Sequence, residues 1–171
     1  MINQIRKDLW SQFGAAIDML ENAVSFYPES FWKQSPRFFY SAFHCTVLLD
    51  YYLTVPPPSD FNAELPFSVP DRSRIPADVP GDMVPDRFYT QAELIVYINN
   101  CRRKCEHLIN GLTDETILAR WVEDSGEMDY SLFEILIYNL RHVQHHAAQL
   151  NTLLRGAIDK APGWVFREGE A

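Results

Sequence analysis

Apolar residues recur at spacings of three and four over four long stretches of this chain, the period of an amphipathic α-helix. In the first stretch, for example, Ile5, Leu9, Phe13, Ile17 and Leu20 fall on one helical face. The four predicted helices span residues 3–26, 36–53, 91–110 and 132–155. No run of strands is predicted between them.

Residues that favour helix ends stand at the boundaries of these stretches. Pro28 ends the first helix, and Ser35-Pro36 gives the second an N-cap followed by proline in the first turn. Two capping boxes, in which a Ser or Thr precedes a Glu by three positions, open the third and fourth helices. The two capping boxes are Thr90 with Glu93 and Ser131 with Glu134. Gly111 follows the third helix, and Gly156 and Pro162 are expected to end the fourth.

The segment between the second and third helices, residues 55–89, has a different composition. It holds eight of the eleven prolines and shows no helical period, which indicates a long, partly extended connection. A connection of this length can return the chain along the whole molecule, whereas short links favour antiparallel neighbours. We therefore expect an all-α protein, a four-helix bundle of up-down-down-up order, that forms one domain over residues 1–171.

Two shorter segments also have a predicted structure. Residues 113–119 are predicted to form one more short helical piece. The tail from Gly163 onward is expected to pack through Trp164 and Phe166.

Composition and charge narrow the function classes. The 171 residues are 47% hydrophobic and carry a formal charge of −8, which argues against nucleic acid or an anionic membrane as the main partner. The N-terminal sequence MINQIRKDLW is charged where a signal peptide is apolar, and no stretch is apolar enough to span a bilayer. The odd number of cysteines indicates reduced thiols. We expect a cytoplasmic protein.

Three histidines within five positions of the fourth helix, in NLRHVQHHAAQLNTLLR, are the most unusual local feature. At about 100° per residue, His146 lies about 40° from His142, and both flank the apolar stripe of the helix. His145 lies about 300° around the wheel and points away from that stripe. His142 and His146 thus share a polar stripe with Asn139 and Gln149, which is typical of a cleft between helices.

Two histidines at positions i and i+4 can bind one metal ion, but a stable site needs a third ligand. His44, in the middle of the otherwise apolar second helix, is the best candidate. His107 lies in the charged sequence RRKCEH and is expected on the surface. The alternative for each histidine is a hydrogen-bonded core or rim residue without a metal.

Other polar residues give weaker signals. Cys101 and Cys105, also at i and i+4, are better interpreted as buried small side chains than as ligands. Neither Glu134 nor Asp50 shares the ligand edge of its helix, so no general base is evident. The acidic residues of the proline-rich connection are candidates to fold over the cleft: Asp60, Glu64, Asp71, Asp78, Asp82 and Asp86. Tyr40 and Tyr51 lie on the His44 side of their helix.

The segments FFYSAFHCTVLLDYYL and LRHVQHHAAQLN, together with Trp121 and the lead-in YSLFEILIYNLRH, resemble the DinB-like family of metal-binding four-helix bundles. The resemblance implies that the ligands are His44, His142 and His146. It also implies a divalent ion, with nickel or zinc favoured over iron or manganese, and a homodimer. Family members with known chemistry include thiol-dependent transferases and isomerases.

A site with three neutral imidazoles leaves coordination positions for water or substrate, which favours chemistry over a structural role. We expect a metal-dependent transferase or hydrolase that acts on a small molecule and uses a low-molecular-weight thiol. The alternative is a non-catalytic, dimerising bundle or interaction module that binds metal incidentally.

Overall fold

A computed structural model describes residues 1–170 and shows a mostly helical chain. Its helices are α1 (Ile2–Phe26), α2 (Glu29–Trp32), α3 (Pro36–Tyr52), α4 (Gln91–Asn110) and α5 (Leu132–Ile158). Its strands are β1 (Phe67–Ser68), β2 (Val84–Pro85), β3 (Arg120–Val122) and β4 (Asp129–Ser131). Within residues 1–170, no helix combines the length and apolar character needed to cross a membrane.

The four long helices begin within one residue of the predicted positions. At α4 the Thr90 hydroxyl accepts a hydrogen bond from the backbone N–H of Glu93, and the Glu93 carboxylate accepts one from the backbone N–H of Thr90. At α5 the Ser131 hydroxyl accepts from the backbone N–H of Glu134. These caps satisfy backbone donors that have no partner within the helix, which is why the chain begins its helices there.

Each long helix packs against two others: α1 against α4 and α5, and α3 against α4 and α5. The Asn139 amide donates to the carbonyl of Leu49 at 3.0 Å where α5 crosses α3. Asn99 of α4 donates to the Glu21 carboxylate of α1 at 3.1 Å, and Lys104 of α4 donates to the Thr54 hydroxyl just beyond α3. The apolar core lies between these four helices.

Two small antiparallel sheets and the single-turn helix α2 were not predicted from the sequence. Strand β1 pairs with β2 inside the proline-rich connection, and β3 pairs with β4 just before α5. Strands of two or three residues are too short to show an alternating pattern, so they are decided by tertiary contacts. The predicted helical piece at 113–119 is a 3₁₀ turn at Thr116–Leu118.

The C-terminal tail packs differently from the prediction. Trp164 and Phe166 are exposed at 61% and 71%, so the expectation that they anchor the tail is wrong. Val165 is the buried residue, and it joins a small apolar cluster with residues of α1 and α5. Of these three residues, only Val165 is therefore buried against the helices.

Candidate metal centre

Helices α3 and α5 bring the three predicted ligands together. His44 comes from the middle of α3, and His142 and His146 come from consecutive turns of α5. The ring centroids lie 5.5 Å (His44–His142), 5.0 Å (His44–His146) and 4.5 Å (His142–His146) apart. One nitrogen of each ring lies within 4.8 Å of one nitrogen of each of the other two, so the group could hold a metal ion.

The other two histidines lie outside this group. His145 is exposed, and its Nε2 lies 2.9 Å from the Gln149 amide nitrogen. His107 is also exposed, near the end of α4. The helical wheel therefore separated the clustered histidines correctly.

The predicted polar stripe of α5 is mostly buried rather than lining an open cleft. Asn139 is fully buried and bonded to Leu49 of α3, and His146 is 7% exposed. Gln149 is exposed at the other end of the stripe. The stripe thus faces α3 over most of its length, and α3 places its own polar side chain, His44, opposite His142 and His146.

The tyrosine next to the site was not identified from the sequence. Tyr52 packs edge-on against His142, with 6.0 Å between ring centroids. Tyr51 instead donates to the Glu123 carboxylate at 2.8 Å, and Tyr40 packs against Phe39 and Phe88. Adjacent residues of a helix point about 100° apart, so Tyr51 and Tyr52 face different neighbours, and Tyr52 rather than Tyr51 contacts His142.

The proline-rich connection closes over His44 through Gly81. This glycine has a φ of 77°, and a β-carbon built on it would lie 3.1 Å from Cε1 and 3.4 Å from Nδ1 of His44. The sequence signal for this contact was a single glycine within a proline-rich segment, which did not specify a partner. Glycine is needed here both for the backbone conformation and for the close approach.

Among the acidic residues of the connection, Asp82 acts on the site electrostatically: burial lowers the pKa of His44, and the negative charge of Asp82 partly opposes that shift. No carboxylate joins the histidine group within residues 1–170. Asp71 instead accepts a hydrogen bond from the backbone N–H of Ser73, and Glu64 accepts one from Asn100. Asp50 accepts from Lys104 and from Tyr97, in agreement with its predicted position off the ligand edge.

Burial keeps the three imidazoles neutral at physiological pH. Burial, together with a smaller effect of the neighbouring histidines, lowers the pKa of His142 to about 3 and that of His146 to about 4. Burial also lowers the pKa of His44, against the opposing effect of Asp82. Metal ligation requires the neutral form of imidazole, so the site is already in the binding state at pH 7.

Several ring nitrogens of the site have no hydrogen-bond partner. Within residues 1–170 these buried atoms are Nδ1 of His44, both ring nitrogens of His142, and Nδ1 of His146. A buried polar atom without a partner is costly, and the cost is removed if a ligand or ion fills the space between the rings. The donor set of three imidazoles suits zinc, nickel, copper and iron.

The cysteines are separate from this centre. Cys45, Cys101 and Cys105 are buried free thiols, and burial raises the pKa of each. A buried thiol with a raised pKa stays protonated and is a poor ligand or nucleophile. The interpretation of Cys101 and Cys105 as packing residues is consistent with this environment.

We expect the stability of the metal-free protein to fall as the pH drops below about 6.5. The pKa values of His142 and His146 are lower in the folded chain than in the unfolded chain, so the unfolded state binds more protons between about pH 4 and 6.5. The loss should reach the order of a few kcal/mol at pH 4. Urea unfolding of metal-free protein at several pH values measures it.

The variant His142→Gln should flatten this pH dependence relative to wild type, whereas His145→Gln should keep it because His145 is exposed. The comparison between variants removes the contribution of carboxylates, which also titrate near pH 4. A wild-type pH dependence that matches that of His142→Gln would contradict the prediction.

We expect Gly81→Ala to weaken zinc binding by about tenfold or more, because the new methyl group would push the His44 ring out of position. Gly126→Ala is the matched control. Gly126 has a φ of 73°, but a β-carbon there meets nothing within 4 Å. Both variants should lose about 1 kcal/mol of stability from the strained backbone.

Zinc affinity is measured by competition with a chelating dye, and stability by urea unfolding. Equal zinc affinities for Gly81→Ala and Gly126→Ala would show that the contact between Gly81 and His44 has no role in the site.

Comparisons with protein-family models, with curated proteins and with solved structures found no match to this chain.

Proposed function

We propose that this protein binds one divalent metal ion through His44, His142 and His146. The observation that carries the proposal is the convergence of three neutral imidazoles whose buried nitrogens lack hydrogen-bond partners among residues 1–170. Nickel or zinc is the favoured ion, and iron or manganese is the alternative, since imidazole binds the later divalent metals more strongly.

We further propose that the four long helices form an up-down-down-up bundle of the DinB-like type. Support comes from the order of contacts along the helices. Asn139 meets Leu49 where Tyr138 meets Tyr52, and His142 and His146 meet His44, so α5 runs antiparallel to α3. The family assignment rests on the quoted sequence segments and on this arrangement.

The proposed reaction is a metal-dependent transfer or hydrolysis on a small molecule, with a low-molecular-weight thiol as a candidate co-substrate. A bound divalent ion with open positions would lower the pKa of a coordinated water or thiol. The chain itself contributes burial of the three rings, the wall formed by Tyr52, and the negative charge of Asp82 beside His44. We propose a cytoplasmic location, in keeping with the reduced thiols.

A non-catalytic, dimerising bundle is the second candidate. It is favoured by a groove between α1 and α5 that is lined largely by apolar residues, among them the exposed Phe133 and Ile137. The variant Ile137→Lys should convert a homodimer into a monomer in sedimentation experiments if this groove is the contact between two copies. An unchanged mass would remove the groove as the contact.

Elemental analysis of protein purified without an affinity tag or chelator tests the metal proposal. Near-stoichiometric nickel, zinc, iron or manganese that is absent from the His142→Ala variant would support it. No metal in either sample, even after incubation with zinc or nickel and desalting, would overturn it and leave the dimeric bundle as the stronger candidate.

A further inference from the structure

A polar cavity of about 610 Å³ lies beside the histidine group. Its walls are the first turns of α3, the last turns of α5, and the part of the proline-rich connection just before Gly81. The residues that line it are Arg37, Ser41, Ala77, Asp78, Val79, Pro80, Gln149, Thr152 and Leu153. The cavity is large enough for a molecule of the size of an amino acid or a short peptide.

Each of the three walls of this cavity contains a residue that is close along the chain to a histidine of the group or to Gly81. Ser41 precedes His44 by three positions on α3, so the two lie on adjacent turns of one face. Gln149 follows His146 by three positions on α5. Pro80 directly precedes Gly81, whose backbone packs against the His44 ring. The three histidines do not line the cavity themselves, but a ligand in it would lie about one helical turn from His44 and His146.

The cavity holds two opposite charges that do not neutralise each other. Arg37 and Asp78 are the charged lining residues; both are exposed at the mouth of the cavity, and within residues 1–170 neither forms an ion pair with another side chain. Arg37 is thus available for an anionic group, and Asp78 for a cationic one.

We propose that this cavity is the substrate subsite of the metal centre and that it selects a dipolar molecule. Arg37 would bind a carboxylate of the ligand, Asp78 would bind an ammonium group, and Ser41 and Gln149 would complete the polar wall. The inference deepens the proposed function, since it names the class of molecule presented to the ion. The charge contacts of Arg37 and Asp78 with the ligand do not require a bound metal ion.

The test uses glutathione as a probe, because it carries carboxylates, one ammonium group and a thiol, together with N-acetylglutathione, which lacks the ammonium group. Both are titrated by calorimetry into zinc-free and zinc-loaded protein. Arg37→Met should weaken the binding of both probes by about tenfold. Asp78→Asn should weaken glutathione by a similar factor and leave N-acetylglutathione unchanged.

Two exposed residues of the same types in the connection supply controls. Arg74→Met and Asp60→Asn remove the same charges outside the cavity and should leave both affinities within about twofold of wild type. They correct for any general effect of net charge on the binding of an anionic probe.

The failure of this inference can be distinguished from failure of the proposed function. Charge-selective binding to a protein that takes up neither zinc nor nickel, and that holds no metal as purified, would overturn the metal proposal and support the subsite. Stoichiometric zinc with probe affinities that are unaffected by Arg37→Met and Asp78→Asn would overturn the subsite alone. The absence of saturable binding of either probe, with or without zinc, would also overturn it.

Discussion

The His146→Ala variant should lose stoichiometric zinc, with an affinity at least about 100-fold below that of wild type. His146 supplies one of only three nitrogens in the group, and the two that remain would hold the ion weakly. The estimate is a lower bound, because changing a residue that merely orients a ligand already costs about 10–100-fold in metal affinity. Zinc content after desalting and a competition titration measure the loss.

His145→Ala is the matched control for this variant. It removes the neighbouring histidine of the same helix, but that side chain is exposed and lies outside the group. Zinc binding should stay within about threefold of wild type. Equal losses at the two positions would contradict the assignment of ligands, and circular dichroism would show whether either variant had lost its helices.

The largest effect on stability should come from Trp121→Ala, which we expect to lower the free energy of unfolding by about 3–5 kcal/mol. Trp121 lies on β3 and is fully buried. Its indole N–H donates to the carbonyl of Thr54 at 2.9 Å, and its ring packs edge-on against Tyr51 and Tyr52. The substitution would leave a cavity in the core, and the carbonyl of Thr54 would lose its hydrogen-bond donor. Urea unfolding of zinc-free protein measures the change.

Trp164→Ala should change the free energy of unfolding by no more than about 0.5 kcal/mol, because Trp164 is 61% exposed. Trp121→Phe should fall between the two alanine variants, since it keeps most of the packing and loses the hydrogen bond. If Trp121→Ala and Trp164→Ala had the same stability, β3 would not be an integral part of the core.

Trp121 also links stability to the candidate metal centre. Tyr52 contacts both Trp121 and His142, so loss of the indole would leave the wall beside the histidines with less support. We therefore expect Trp121→Phe to weaken zinc binding less than Trp121→Ala.

The elements predicted from the sequence are those whose signals are local. Pro36 and the capping pairs Thr90 with Glu93 and Ser131 with Glu134 placed three helix starts, because caps act within one turn. The i, i+4 spacing placed His142 and His146 on one edge and His145 on another, because helical geometry leaves no choice once the helix exists. The position of His44 beside these two residues depends in addition on the packing of α3 against α5.

Contacts between distant segments were not predictable in the same way. The sequence pattern did not indicate that Gly81 packs against His44, that Tyr52 rather than Tyr51 lies beside His142, or that Val165 rather than Trp164 is buried. In each case the residue lies outside a helix or in the last turn of one, where the helical period does not fix the direction of its side chain or backbone. Its neighbour in the folded chain decides that direction.

The sequence by itself therefore determined the four long helices, their first residues, and the edge of α5 that carries two histidines, whereas α5 continues through the predicted stop at Gly156 to Ile158. The tertiary structure decided that a third histidine completes the group, that burial keeps the rings neutral, and that the proline-rich connection covers His44 and forms a charged cavity beside it. The physical reason is the range of the interactions. Helix formation depends on residues within one or two turns, whereas burial and close approach depend on segments tens of residues apart, which only the packed chain brings together.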